Sequence, residues 1–257
     1  MIHDVDVDDG KVARLKNSRA KPPSLEVDFE AIERTGYQII RDYGPNIERL
    51  KSFLESLSNG KLFHSERIGG VVHQFSVLPG AKSLAEQASC GGYHTDFMFQ
   101  PRPPAYIALL CLRPDPKHPV FGRNQIVHRD DFIAKMENVF GLSEADLKCA
   151  ALRYIFPGRP AFDVPVLDNL DGRTIFRLHT SLAQDRNGPI LRSGLGLKEA
   201  VEAVCSDVAQ DFVLDRGDLL IMSNHIALHR RSECTLAYRS DGTSFDSREI
   251  ASIRFDL

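Results

Sequence analysis

His94 and Asp96, in the stretch Gly92-Tyr93-His94-Thr95-Asp96-Phe97, are the residues on which chemistry could be built. Side chains on an extended strand alternate, so residues two apart point the same way. A neutral imidazole beside a carboxylate is a ligand pair that suits iron(II). With one further histidine, the three groups can occupy one face of an octahedron and leave positions open for small molecules. That is the 2-His-1-carboxylate arrangement of non-haem iron oxygenases. His-x-Asp alone is a common tripeptide, so the reading requires a third ligand from elsewhere in the chain.

Far downstream, Phe212-Val213-Leu214 leads through the turn Arg216-Gly217-Asp218 into Leu219-Leu220-Ile221-Met222-Ser223-Asn224. His225-Ile226-Ala227-Leu228-His229-Arg230-Arg231 follows, and both His225 and His229 compete for the third position. On a helix, histidines at i and i+4 would form a metal pair. An apolar run that follows Gly-Asp and ends in Ser-Asn reads instead as strand and turn. Such a strand brings a distal histidine to the mouth of a β-barrel, and His229 is preferred there.

The elements that must carry these residues are legible in outline. Gly36 to Arg41 reads as a short strand. Asn46 caps a helix whose Ile47, Leu50, Phe53, Leu54 and Leu57 recur at helical spacing until Asn59-Gly60. Val71 to Leu78 is a strand closed by Pro79-Gly80, and residues 80 to 92 form a small-residue loop leading to His94. Ala105 to Leu112 is an apolar run of core-strand length. Helices are expected over Asp130 to Phe140, Ser143 to Leu152 and Leu197 to Gln210, with a turn at Asp168 to Gly172 and a strand over Thr174 to Leu178. Gly194-Leu195-Gly196 starts like a dinucleotide fingerprint, but Glu199 stands where its third glycine belongs, so it reads as a loop before a helix.

Composition narrows the function classes. The chain has 257 residues, 42% hydrophobic and 26% charged, which is ordinary for a soluble domain. A net charge of −3 argues against a nucleic-acid or anionic-membrane binder. Residues 1 to 24 are charged and polar, end in Lys21-Pro22-Pro23-Ser24, and are expected to be a flexible arm rather than a signal peptide. No stretch is long enough to span a bilayer. Five scattered cysteines without a Cys-x-x-Cys pair fit thiols in a reducing cytoplasm, not a disulfide or zinc framework. Cys90 lies near His94, but nothing marks an oxyanion site for a nucleophile.

Taken together, Gly217-Asp218-Leu219-Leu220-Ile221-x-x-Asn224 and Leu228-His229-x-Arg231, with His94-Thr95-Asp96 upstream, resemble the iron(II)/2-oxoglutarate-dependent dioxygenases. The closest branch is that of taurine dioxygenase and clavaminate synthase. The resemblance covers roughly residues 90 to 257 and is more diffuse over 25 to 89. It implies a mainly β fold with peripheral helices around a double-stranded β-helix (jelly-roll, cupin-like) core, as a single domain over 25–257. It implies iron(II) held by His94, Asp96 and His229, with 2-oxoglutarate and dioxygen as cosubstrates.

The family anchors the distal carboxylate of 2-oxoglutarate with an arginine after the distal histidine, since a planar guanidinium can grip a carboxylate bidentately. Arg248 and Arg254 share a strand face by parity, with Ile250 and Ser252 between them. Arg248 is the favoured anchor, Arg254 a helper or alternative, and Arg239 a third possibility. Two motifs depart from the family. Its His-Gly-Arg is His229-Arg230-Arg231 here, and its Gly-Gly-x-Thr is matched best by Phe121-Gly122-Arg123-Asn124-Gln125, with Gln125 in place of the threonine.

The implied reaction hydroxylates, desaturates or cyclises a small polar metabolite such as an amino acid or derivative, with succinate and carbon dioxide as co-products. Asp96 argues against a halogenase, which needs that ligand position free. Arg230, Arg231 and Arg102 would make a basic pocket mouth, with Arg231 the candidate substrate contact. Two alternatives stand: a non-catalytic jelly-roll module binding a small ligand or metal, and a zinc hydrolase on the same three ligands.

Overall fold

The computed structural model describes residues 25–66, 68–185 and 194–257; the arm expected over residues 1–24 lies outside them. In chain order come α1 (Phe29–Thr35), β1 (Tyr37–Ile40), α2 (Ile47–Leu57), β2 (Val72–Ser76), β3 (Tyr106–Arg113) and β4 (Asn124–His128). The middle supplies α3 (Arg129–Phe140), α4 (Glu144–Cys149), β5 (Ala151–Tyr154), β6 (Phe162–Pro165), β7 (Leu167–Leu170), β8 (Arg173–Phe176) and β9 (Ala183–Gln184). Then follow α5 (Leu197–Val208), β10 (Gln210–Phe212), β11 (Leu219–Ser223), β12 (Ala227–Arg231), β13 (Ala237–Tyr238), β14 (Phe245–Asp246) and β15 (Glu249–Phe255). No helix among the described residues is long and apolar enough to cross a membrane.

Two antiparallel sheets organise the chain. One has the order β1-β11-β3-β15-β2 and the other β10-β4-β12. Strand alternation gives each sheet two faces. Ile107, Leu220, Met222 and Ile250 of the larger sheet meet Ile126 and Ala227 of the smaller one in a single buried cluster, so these faces oppose each other. The larger sheet's outer residues, Ala108, Leu110, Ile221, Ala251 and Ile253, pack against Ile32 of α1 and Leu50 and Leu54 of α2. Val127 and Leu228, on the outside of the smaller sheet, pack against Phe132 and Met136 of α3 and Val201 and Val204 of α5. Each fully buried Leu or Ile contributes roughly 1.5–3 kcal/mol, so helices on both outer faces shield the sheets.

Local chemistry sets the element ends. Asn46 caps α2 by accepting the Arg49 amide at 2.9 Å, and Ser143 opens α4 with a reciprocal Asp146 capping box. The helix expected from Ser143 to Leu152 ends earlier, at Cys149. Leu152 and Tyr154 alternate with half-buried neighbours on β5, which pairs with β6 and β9, so tertiary pairing overrides the helical run. The helix expected to reach Gln210 stops at Val208, because Gln210 already pairs with Ile126 in β10. The turn before β11 depends on Gly217, at φ +91°, where a Cβ would come within 3.2 Å of the Gly44 Cα. Buried Asp218 secures that turn: it accepts the Asp42 and Asp215 amides at 3.1 and 2.9 Å and pairs with Arg41.

Candidate metal centre

Backbone pairing brings the first two candidate ligands together. The His94 amide donates to the His229 carbonyl at 3.0 Å, and the His229 amide returns the bond at 2.9 Å. This is a directly opposed antiparallel pair, whose side chains leave the same face. On its other flank His94 opposes His179, between the Thr95–Leu178 and Thr180–Tyr93 backbone bonds. Three imidazoles therefore stand in a row. The His94 ring centroid is 4.6 Å from that of His179 and 4.1 Å from that of His229.

Asp96 joins this face by strand alternation. Its Oδ1 lies 3.7 Å from His94 Nε2 and 3.8 Å from His229 Nε2. One ligand atom from each of His94, Asp96 and His229 falls within 4.8 Å of the others. The backbone of Asp96 is fixed by Asn224, which is buried in the turn between β11 and β12. Asn224 Oδ1 accepts the Asp96 amide at 2.7 Å, and its Nδ2 donates to the Asp96 and Pro104 carbonyls, both at 2.9 Å. Beyond Asp96 the chain turns away through Phe97, at φ +55°.

Protonation favours a cation. His94 Nδ1 is 2.8 Å from the Gly92 carbonyl, which can only accept, so Nδ1 carries a hydrogen and Nε2 is the nitrogen that faces Asp96. Burial, reinforced by His94, holds the His229 pKa down to about 3. Burial alone would raise the Asp96 pKa, but Arg254, His229 and His94 outweigh it and hold the carboxyl well below its usual range. At neutral pH the cluster thus offers neutral His229 beside a carboxylate, a combination that divalent first-row metals take.

The two arginines at the end of the chain have different partners. Arg254 donates from Nε to Asp96 Oδ2 at 2.7 Å, and its Nη2 makes an ion-pair contact with the same oxygen at 2.6 Å. Arg248, only 5% exposed, donates to Asn124 Oδ1 at 3.0 Å and forms no ion pair among the described residues. Burial pulls its pKa below the usual arginine value. Asn124 Nδ2, Ser252 Oγ and Arg254 Nη1 are buried without hydrogen-bond partners among the described residues. Each such group costs about 1–3 kcal/mol in a dry interior, so the space between the two sheets fits a polar, anionic ligand. In register, His229 faces Ile126 and Arg231 faces Asn124. Asn124 therefore lies about 7 Å along the strands from the histidine row, the rise of two residues.

Gln125 requires a correction. It opposes Arg230, whose Nε donates to its Oε1 at 2.6 Å, and that guanidinium lies 4.0 Å over the Tyr93 ring. Tyr93 belongs to the cluster outside the smaller sheet, so Gln125 and Arg230 both face away from the histidines. The period of two gives the inward position to Asn124. The expected basic mouth also dissolves. Arg231 is used up on Gln87 and Ser89 carbonyls and Cys234 Sγ, tying down the loop that precedes His94. Arg102 and Arg239 are surface residues paired with Asp171 and Asp246. His225 turns to the Pro103 carbonyl, at 3.0 Å, outside the donor cluster. Sequence reasoning missed Asn124 and the clamp made by Asn224. Nothing in the local sequence marks His179; only the pairing of residues 93–95 with 178–180 reveals that it stacks on His94.

No protein-family model matches the sequence, and no curated protein matches it. Solved structures do match in three dimensions. Asparagine oxygenase, solved with Fe(II), 3-hydroxyasparagine and succinate, aligns with a TM-score of 0.61 at 19% identity, over 89% of this chain and 77% of that one. The non-haem iron oxygenase OrfP, solved with Fe and alpha-ketoglutaric acid, gives 0.59 at 19% identity, over 89% and 77%. A taurine dioxygenase from Burkholderia xenovorans gives 0.60 at 15% identity, over 89% and 80%. The chain therefore has the fold of iron- and 2-oxoglutarate-dependent oxygenases of the taurine dioxygenase/clavaminate synthase-like branch. The motif resemblance and the fold point to the same branch.

Proposed function

We propose that this protein is an iron(II)- and 2-oxoglutarate-dependent oxygenase acting on a small polar metabolite such as an amino acid or a derivative, built on a double-stranded β-helix core over residues 25–257. One observation carries the reading: three donor atoms, two from residues 94–96 and one from residue 229, converge within 4.8 Å, and the space between the sheets also holds a buried guanidinium with no carboxylate partner among the described residues. Such a guanidinium is costly unless an anion meets it.

In this reading His94, Asp96 and His229 hold the metal, and Arg248 with Asn124 grips the distal carboxylate of the cosubstrate. When bound, iron(II) and 2-oxoglutarate supply dioxygen activation, with the 2-oxo acid leaving as succinate and carbon dioxide and one oxygen atom delivered to a substrate C–H bond. The protein's own work is orientation: Asn224 fixes the Asp96 backbone, Gly92 fixes the His94 tautomer, and the apolar cluster between the sheets excludes water. The amino acid class is supported by asparagine oxygenase and by OrfP, which was solved with hydroxyarginine.

The test is succinate release. A screen of amino acids and their derivatives should find a compound that drives iron(II)- and 2-oxoglutarate-dependent succinate formation, abolished in Asp96→Ala. Ligand binding with no succinate, across compounds that occupy the site, would identify a binding module instead. Turnover with zinc and without oxygen would identify a hydrolase.

A further inference from the structure

We propose that Arg254 is a positioning residue that holds Asp96 as a one-oxygen ligand, keeping a coordination position open for a chelating 2-oxo acid; the proposal rests on the metal reading above. The guanidinium meets Asp96 at one oxygen, Oδ2, through a hydrogen bond from Nε at 2.7 Å and an ion-pair contact from Nη2 at 2.6 Å. The other oxygen, Oδ1, faces both imidazole Nε2 atoms. The two ends of the carboxylate are thus assigned to different tasks.

The rest of the surroundings serves the same end. Arg254 is 8% exposed, and its third nitrogen, Nη1, has no hydrogen-bond partner among the described residues, so no other polar group there holds the guanidinium. Its charge lies 5.6 Å from the centroid of Phe97, the residue at φ +55° that carries the chain away from Asp96. Asn224 locks the Asp96 backbone, which leaves rotation of the carboxylate as the remaining freedom, and Arg254 removes it. An ammonium group is a compact point charge and cannot reproduce two nitrogens converging on one oxygen from one plane. Without Arg254, Oδ2 is free to bind the cation as well, and a two-oxygen Asp96 competes with any bidentate ligand.

The test uses Co(II) in place of iron and oxalate as the probe, so no turnover is involved. Oxalate chelates a metal but lacks a distal carboxylate for Arg248. Visible absorption and oxalate titration are compared in wild type, Arg254→Met, Arg254→Lys and Arg248→Met. In both Arg254 variants the Co(II) band should change in position and intensity, and the oxalate Kd should rise at least about tenfold, the scale seen when a partner of a metal ligand is lost. Arg248→Met should leave the oxalate Kd within about twofold of wild type, because oxalate makes no contact there. If Arg254→Met does not fold, Arg254→Lys decides. An Arg254 variant with the wild-type Co(II) spectrum and oxalate affinity overturns the proposal and leaves the metal centre standing. If Asp96→Ala binds Co(II) as tightly as wild type, the metal reading and this proposal both fall.

Discussion

His94 and His229 are directly opposed residues on neighbouring antiparallel segments, each donating its amide to the other's carbonyl at 3.0 and 2.9 Å. The ladder, not the side chains, sets the spacing of the two rings. Removing either imidazole therefore leaves the backbone pair intact. His229→Ala should fold with a near-native circular dichroism spectrum yet bind Mn(II) or Co(II) at least about 100-fold more weakly. Calorimetric titration checks this, and wild-type affinity would remove His229 from the ligand set.

Asn224 joins two distant segments through three hydrogen bonds inside the protein. Asn224→Ala strands the Asp96 amide and two carbonyls, which should cost about 2–4 kcal/mol. Asn224→Asp should also destabilise, because a carboxylate cannot donate to the Asp96 and Pro104 carbonyls. Urea denaturation measures both, and metal affinity should decline alongside stability. Full stability in the alanine variant would contradict the clamp.

Arg248 is a buried cation with one neutral hydrogen-bond partner among the described residues, so its removal should separate stability from binding. In Arg248→Met the melting temperature without cosubstrate should match or exceed that of wild type, since an uncompensated charge is gone. The KM for 2-oxoglutarate should rise at least about 30-fold, a loss of roughly 2 kcal/mol for a charge-assisted contact. Gln125→Ala, facing the other side of β4, should leave that KM unchanged. Equal effects from the two variants would contradict the assignment of faces.

The metal-free protein should lose stability as the pH falls. Burial depresses the folded His229 pKa to about 3 from an ordinary 6.5. Between those values the unfolded chain holds a proton that the folded chain refuses. The contribution is thus fully present above pH 6.5 and lost below it, at a slope approaching about 1.4 kcal/mol per pH unit. Asp96, also depressed, acts in the same direction at lower pH, below the ordinary carboxylate value. Melting temperatures from about pH 8 to pH 5 measure the slope, which His229→Gln should reduce. A flat profile in wild type would contradict a buried neutral imidazole.

The amino-acid sequence by itself determined what depends on local period and residue chemistry. His94 and Asp96 share a face because strand side chains alternate, and Arg248 and Arg254 share one for the same reason. Asn46 and Ser143 mark helix starts because their side chains satisfy free amides. Local chemistry cannot assign a face to the interior. Asn124 and Gln125 are adjacent polar residues of similar chemistry, and only the apolar neighbours Ile126 and Val127, packed on opposite sides of the sheet, show which one turns inward. Likewise Arg254 could have gripped a cosubstrate as well as Arg248, until the register of β15 and the turn at Phe97 placed Asp96 against it. His179, Asn224 and the His94–His229 pair meet through long-range strand pairing, and that pairing is decided by the packing of the whole chain.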